Sequence, residues 1–261
     1  MIARYLILLV KIAKYSYIAS LEYRFQYVVR VLRIFIEFGL AFLFIDIFFQ
    51  NTSALGDWSK NEVVLLYGIF TAIYSSVFMF INGNLQELAD EKIRNGELDG
   101  ILVKPVDSQF LISFGRMHIQ NLWRVGFGIL MALFAWSRIN TPIDFLHISI
   151  FFIDFICSLI ILYSLLFLTS VLSFWTFTSE PVIMAETALS ITRYPMDIFP
   201  KKIVRWLTII PIIFIATVPT KALLGKFDAL TWVSPIVAIT LLIASRKFWN
   251  FALRHYSSAS S

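Results

Sequence analysis

The sequence predicts an all-α integral membrane protein, and three observations carry that prediction. Of 261 residues, 59% are hydrophobic and 15% charged, with a mean hydropathy of +0.78. Soluble domains run at about 45–50% apolar and about 25% charged. The 26 Phe alone outnumber the 22 Lys plus Arg, and a soluble globule of this length has too little interior to hide that surface. Finally, the apolar residues gather into runs near the roughly 20 residues that cross a hydrocarbon core. The single cysteine, Cys157, excludes a disulfide scaffold, and the composition excludes disorder.

The elements follow in chain order. Residues 1–20 form an interfacial helix: Arg4, Lys11 and Lys14 interrupt the apolar run, and Tyr5, Tyr15 and Tyr17 suit headgroup level. No small-residue cleavage site follows, so this is not a signal peptide. Spans are predicted at 28–49, 63–81, 119–136, 148–175, 203–218 and 230–243. With six simple spans, fifteen basic residues fall on one side and four on the other, including Lys60 and Arg138. The positive side is cytoplasmic, which puts both termini there; the expected location is the cell (inner) membrane. The chain reads as one transmembrane domain, 1–261, without internal repeats and with a Ser-rich tail, Ser257 to Ser261.

The longest polar stretch, 82–109, is too short to fold alone but holds a helix and a turn. Leu85, Leu88, Ala89 and Lys92 share one helical face, with Glu87, Asp90, Glu91 and Arg94 elsewhere. Gly96 is a natural helix terminator, and Lys104-Pro105 forces an extended exit. Such a helix, joined rigidly to two spans, could transmit force to a partner, or it could simply lie solvated on the headgroups.

Residues for covalent chemistry are sparse. His118, His147 and His255 fall in three separate boundary regions, whereas metal or proton-relay sites need clustered ligands. Cys157 sits in an apolar run with no adjacent base and reads as packing. Gly225-Lys226-Phe227 lacks the neighbours of a phosphate loop, and Gly126-Phe127-Gly128 lacks the rest of a dinucleotide fingerprint. No cofactor is expected on this chain, and energy-driven work would need a nucleotide on another one.

Two blocks carry a family resemblance. Gly96-Glu97-Leu98-Asp99 with Leu102-Val103-Lys104-Pro105-Val106 resembles the cytosolic loop of permeases of type-2 ABC exporters. Arg193-Tyr194-Pro195-Met196-Asp197-Ile198-Phe199-Pro200, then Trp206-Leu207 and Ile209-Ile210-Pro211-Ile212, is similar to the same family's branch with two unlike permeases and one ATPase. The resemblance covers essentially the whole chain; Lys202-Ile203-Val204-Arg205-Trp206 departs from it, since Trp usually follows the Pro sooner. It implies a six-span exporter permease with an N-terminal interfacial helix, a cytosolic coupling helix and an outer re-entrant hairpin. It also implies a cytosolic ABC ATPase dimer holding ATP and Mg, and a second permease, more naturally unlike than identical. Glu91, Arg94, Glu97, Leu98 and Asp99 become the ATPase contacts, with Leu98 as apolar anchor.

The resemblance also offers a second topology. Residues 195–229 would be a re-entrant outer segment, broken at Pro211 and Pro219, with Arg193, Tyr194, Pro195, Phe199, Pro200 and Pro211 in an outer gate. The fifth span would then be 178–194, and the basic-residue count becomes eleven against eight. Hydropathy prefers six simple spans; the two prolines in 203–218 and its neighbourhood favour the re-entrant form.

Intramembrane charges are functional candidates by default. Arg33 and Glu37, four apart, permit a local ion pair, or Arg33 snorkels with Arg30. Glu180 and Glu186 face a partner permease or the transport path, or pair with Arg193. Asp46 and Asp154 are expected near the outer surface and hydrated. Trp58, Trp136 and Trp232 flank spans as interface anchors do, and Phe35, Phe38, Phe42, Phe48 and Phe49 suit lipid contact or could line a lipid-like passage.

The function predicted is thus an ABC exporter permease partnered by an ATPase, a second permease and the bilayer, with no nucleic acid. An integral membrane enzyme acting on lipid-linked substrates would need acids, His or Ser clustered at one depth. An ion-coupled secondary transporter would need broken helices in two related halves.

Overall fold

The computed structural model describes residues 2–22, 24–81, 83–139 and 144–256. The predicted Ser-rich tail and Asn82, the first residue of the polar loop, lie outside them. Among the described residues the fold is mostly helical, with no strand beyond one isolated bridge, Leu55 to Trp58.

The helices are α1 (Ile2–Glu22), α2 (Arg24–Gln50), α3 (Lys60–Ile81), α4 (Asn84–Glu87), α5 (Glu97–Leu102), α6 (Ser108–Phe114), α7 (Asn121–Trp136), α8 (Phe145–Val171), α9 (Ser173–Thr176), α10 (Glu180–Leu189), α11 (Lys201–Ile209), α12 (Thr217–Leu223) and α13 (Ala229–His255). Among the described residues, three candidate spans are long and apolar enough to cross a membrane: Lys60–Ile93, Phe145–Thr176 and Ala229–His255. The shorter α7, at 16 residues, spans about 24 Å. The 27 residues of α2 are interrupted by Arg30, Arg33, Glu37 and Asp46.

Helix α3 forms the middle of the bundle, buried from Val63 to Ile73 save for a half-exposed Tyr67, and packed on α7 and α8. Its contact with α7 is backbone to backbone. A Cβ on Gly68 would lie 2.6 Å from the Ala132 nitrogen, and one on Gly128 2.8 Å from the Ala72 nitrogen. Helix α13 packs along α8 through aromatic rings. It starts with a capping box, Asp228 accepting from the Leu230 and Thr231 amides at 2.9 and 3.3 Å.

The predicted simple span over 203–218 is not a helix. Helix α11 stops at Ile209, the chain turns irregularly through Pro211, and α12 begins at Thr217. Pro211 has no amide to continue the ladder. The buried run 211–220 is covered largely by α8, where Ser158 Oγ donates to the Phe214 carbonyl at 2.7 Å. Irregular backbone at this depth is tolerated where protein covers it.

The two ends of the bundle differ. One gathers both chain ends and the polar loop: the Asp107 amide donates to the Tyr5 hydroxyl (3.3 Å), the Met117 amide to Ser16 Oγ (3.0 Å), and Trp249 Nε1 to Ser108 Oγ (3.1 Å). The other ties Trp58 to Asp197 (2.9 Å), Lys221 to Asp197 (2.7 Å) and Lys226 to Glu62 (2.6 Å). Residues 194–228 therefore sit with the α2–α3 connection, at the end opposite the loop. Trp58 is 2% exposed and serves as a packed hydrogen-bond donor, correcting its expected role as an interface anchor. Trp232, by contrast, is 65% exposed.

Candidate functional site

The loop end is built on a rigid base. Leu85, Leu88 and Ala89 are buried, as their spacing predicts, and the helix continues from α4 into a π turn over Leu88–Ile93. Asn84, also buried, places its side-chain nitrogen 2.6, 3.1 and 2.8 Å from the carbonyls of Phe80, Ser113 and Arg116. One side chain thus ties the end of α3 to α6 and its exit. Glu87 accepts from Arg116 at 2.6 Å and lies 3.8 Å from Lys92. Gly96, at φ +74°, turns the chain from the π helix into α5, a left-handed conformation that favours glycine.

On this base, Glu91, Arg94 and Glu97 are exposed and Asp99 is half-buried. Leu98 is different: it is fully buried and belongs to the core. Its side chain packs within the chain and is not available as a surface anchor. Among the described residues of the loop itself, the exposed large apolar ones are Leu102 and Val103, the latter 84% exposed. Nothing in the charge pattern singles out Val103; its place just before Lys104-Pro105 is the signal for its exposure.

A second constellation lies at the junction of α2, α3, α7 and α10. Glu37 pairs with Arg124 of α7, while Arg33 is exposed. The expected local pair of Arg33 with Glu37 does not form, because Glu37 faces α7 across the helix boundary. Arg193 donates to the Ser190 carbonyl at 2.9 Å and stands 5.8 Å over the Phe70 ring. Glu186 accepts from Gln86 at 3.0 Å, and Tyr74 donates to the Glu186 carbonyl at 3.1 Å. The expected pairing of Glu180 and Glu186 with Arg193 is therefore replaced, and Glu180 is exposed. Gln86 thereby links the loop directly to α10. A cavity of about 260 Å³ opens beside Glu37, Tyr67, Arg193 and Tyr194.

The remaining candidates separate. Of the residues at the far end, Pro195 is buried, Phe199 half-buried, and Tyr194 and Pro200 exposed; Pro211 is buried at the break after α11. Asp46 pairs with Lys60. Asp154 is 1% exposed, correcting its expected hydration. His118, His147 and His255 stay apart; the His147 ring lies against Phe227, 5.1 Å between centroids. Phe35, Phe42 and Phe48 are exposed, whereas Phe38 and Phe49 are half-buried.

These arrangements present an end with exposed charged residues, a polar link into the bundle, and a cluster of ionisable groups between helices. They suit binding and mechanical transmission. Compared with known proteins, residues 35–260 match the model of a family described as ABC-2 family transporter protein. No curated protein and no solved structure matches the chain.

Proposed function

The chain belongs to the ABC-2 family of transporter proteins, the multi-pass, membrane-spanning permease component of ABC transporters rather than their ATPase, and from that premise we propose that it is half of an exporter's membrane domain. The other half is a second, unlike permease. A cytosolic ABC ATPase dimer binds and hydrolyses ATP with Mg, and this chain carries no cofactor of its own. Six segments cross the cell (inner) membrane with both termini cytoplasmic. The fifth is α10 with the following turn of 3₁₀ helix, Ser190–Arg193. The segment 195–229 re-enters from the outer side, an assignment supported by its place at the end opposite the loop.

Coupling runs through the loop. Glu91, Arg94, Glu97 and Asp99 orient the ATPase electrostatically, and Val103 supplies the apolar anchor in place of the buried Leu98. Closure of the ATPase dimer moves the loop base. The Asn84 contacts carry that movement to α3 and α6, and the Gln86–Glu186 bond carries it to α10. Access then switches between the two membrane faces as the permeases rearrange. Glu37, Arg124 and Arg193 line the permease–permease side, where a polar path is tolerated.

The observation that carries this reading is the division of the loop into a buried apolar face and an exposed charged rim around Val103. Pull-down of the ATPase with the intact complex in nanodiscs tests it. Charge reversal by Glu91→Lys with Glu97→Lys, or Val103→Asp alone, is expected to weaken association about tenfold, equivalent to about 1.4 kcal/mol, with unchanged membrane insertion. Undiminished ATPase recovery with both variants defeats the coupling assignment.

A further inference from the structure

Away from the charged junction of α2, α3, α7 and α10, a cavity of about 560 Å³ lies between α3, α6, α8 and α13. That volume is within the range of about 300–1,000 Å³ typical of small-molecule sites. Its walls are nearly all apolar: Val77, Phe80, Phe114, Leu159, Ile160 and Leu242. The polar lining is concentrated in one linked group, and that group is already ordered. Arg246 donates to Asp107 at 2.5 Å and to Gln109 at 3.2 Å; Gln109 donates to the Tyr163 hydroxyl at 3.2 Å. The rim lies at the loop end, just beyond the predicted 230–243 span, where Tyr5 of the interfacial helix packs its ring edge-on to Phe110, 4.8 Å between centroids.

Arg246 and Asp107 balance in charge, and what is left over at this rim is unused guanidinium donors. Both oxygens of Asp107 are occupied, Oδ1 by the Phe110 amide (2.9 Å) and Oδ2 by Arg246. Arg246 has five N–H donors, of which these contacts use two, and its side chain is 46% exposed. Lys247 and Lys104 are exposed close by in the sequence. An apolar slot with surplus positive donors at one end is complementary to an anionic amphiphile. We propose that this cavity is a binding site for one anionic phospholipid of the adjacent leaflet. An acyl chain fills the slot between α3, α8 and α13, and the phosphate sits at Arg246. Basic pockets between membrane helices select anionic headgroups in this way. The lipid rests on the base of the loop, since α6 forms one wall of the cavity and is tied to α3 through Asn84. The site does not depend on the ATPase or on transport.

The test is native mass spectrometry of the full chain from nanodiscs containing equal phosphatidylglycerol and phosphatidylcholine. The expected result is one retained phosphatidylglycerol per chain. Ser76→Trp and Ile160→Trp fill the slot from two different helices, and each removes the adduct. Arg246→Gln lowers phosphatidylglycerol occupancy about fivefold, the effect of one basic group near an anionic headgroup. Asp107→Asn, which preserves the α6 cap, maintains or raises it. The proposal is overturned if no lipid is retained, if both lipids are retained equally, if a free fatty acid is the adduct, or if the adduct survives both slot-filling variants. Should neither Trp variant fold, the headgroup preference of Arg246→Gln against Asp107→Asn decides the matter.

Discussion

Two seams hold the bundle together, and they use opposite means. Between α3 and α7 the backbones touch at Gly68 and Gly128, leaving no room for even one Cβ. At the loop end the contact of α8 and α9 with α13 is filled by rings: Phe167 of α8 and Phe174 of α9 stand 5.7 and 5.5 Å from Trp249, both edge-on. Close approach through small residues is how helices associate where lipid removes the hydrophobic drive between them. Aromatic filling gains dispersion and edge-to-face attraction, and the Trp249 indole gains a hydrogen bond to Ser108. The first seam fixes distance and tolerates no change. The second rests on side-chain packing rather than backbone contact, and it lies beside the loop through the Trp249–Ser108 bond.

The sharpest way to break this contrast is Gly128→Leu. Its side chain meets the Ala72 nitrogen and the Gly68 carbonyl, which are backbone and cannot rotate away. Loss of a folded, monodisperse chain is expected in size-exclusion chromatography, while Gly126→Leu, whose Cβ meets nothing within 4 Å, behaves as wild type. Next in size is Trp249→Ala. It leaves a hole among buried rings and an unpaired Ser108, with an expected cost of about 3–5 kcal/mol for such a truncation; a lowered thermal midpoint with retained helical circular dichroism checks it. Trp249→Phe recovers most of that loss if the seam rests on side-chain packing. Smallest is Asp228→Ala at the start of α13, expected to cost about 1 kcal/mol through the lost cap. Its salt bridge to Lys221, at 3.6 Å, adds little at a half-exposed position. A midpoint change as large as that of Trp249→Ala would show that the far end, not the aromatic seam, controls stability.

Much of this was legible in the sequence. Composition required a membrane, and hydropathy located α3, α8 and α13 because each is a long apolar run. The spacing of Leu85, Leu88 and Ala89 disclosed the buried face of the loop helix, and Gly96 its turn. The small residues four apart, Gly68 with Ala72 and Gly128 with Ala132, were also there to be read. For the surplus of Phe the sequence suggested lipid contact or the lining of a lipid-like passage. The structure adds another use: Phe110, Phe114, Tyr163, Phe167 and Trp249 form a run of contacting rings along the α6–α8–α13 side.

Pairings across helices were not legible. Local spacing pointed Glu37 to Arg33, yet its partner is Arg124, 87 residues away. It pointed Glu186 to Arg193, yet its partner is Gln86, 100 residues away. The family resemblance made Leu98 a surface anchor beside four charges, Glu91, Arg94, Glu97 and Asp99, and burial in the core removed it from that role. In each case the local pattern fixes which face of a helix a residue occupies, but not which helix lies opposite. By itself, the sequence determined the solvent, the helices and the polar loop, because hydropathy and backbone chemistry act locally along the chain. The ion pairs, the buried run 211–220 and the amphiphile-shaped cavity were decided by tertiary packing alone, because each depends on distances between segments remote in sequence.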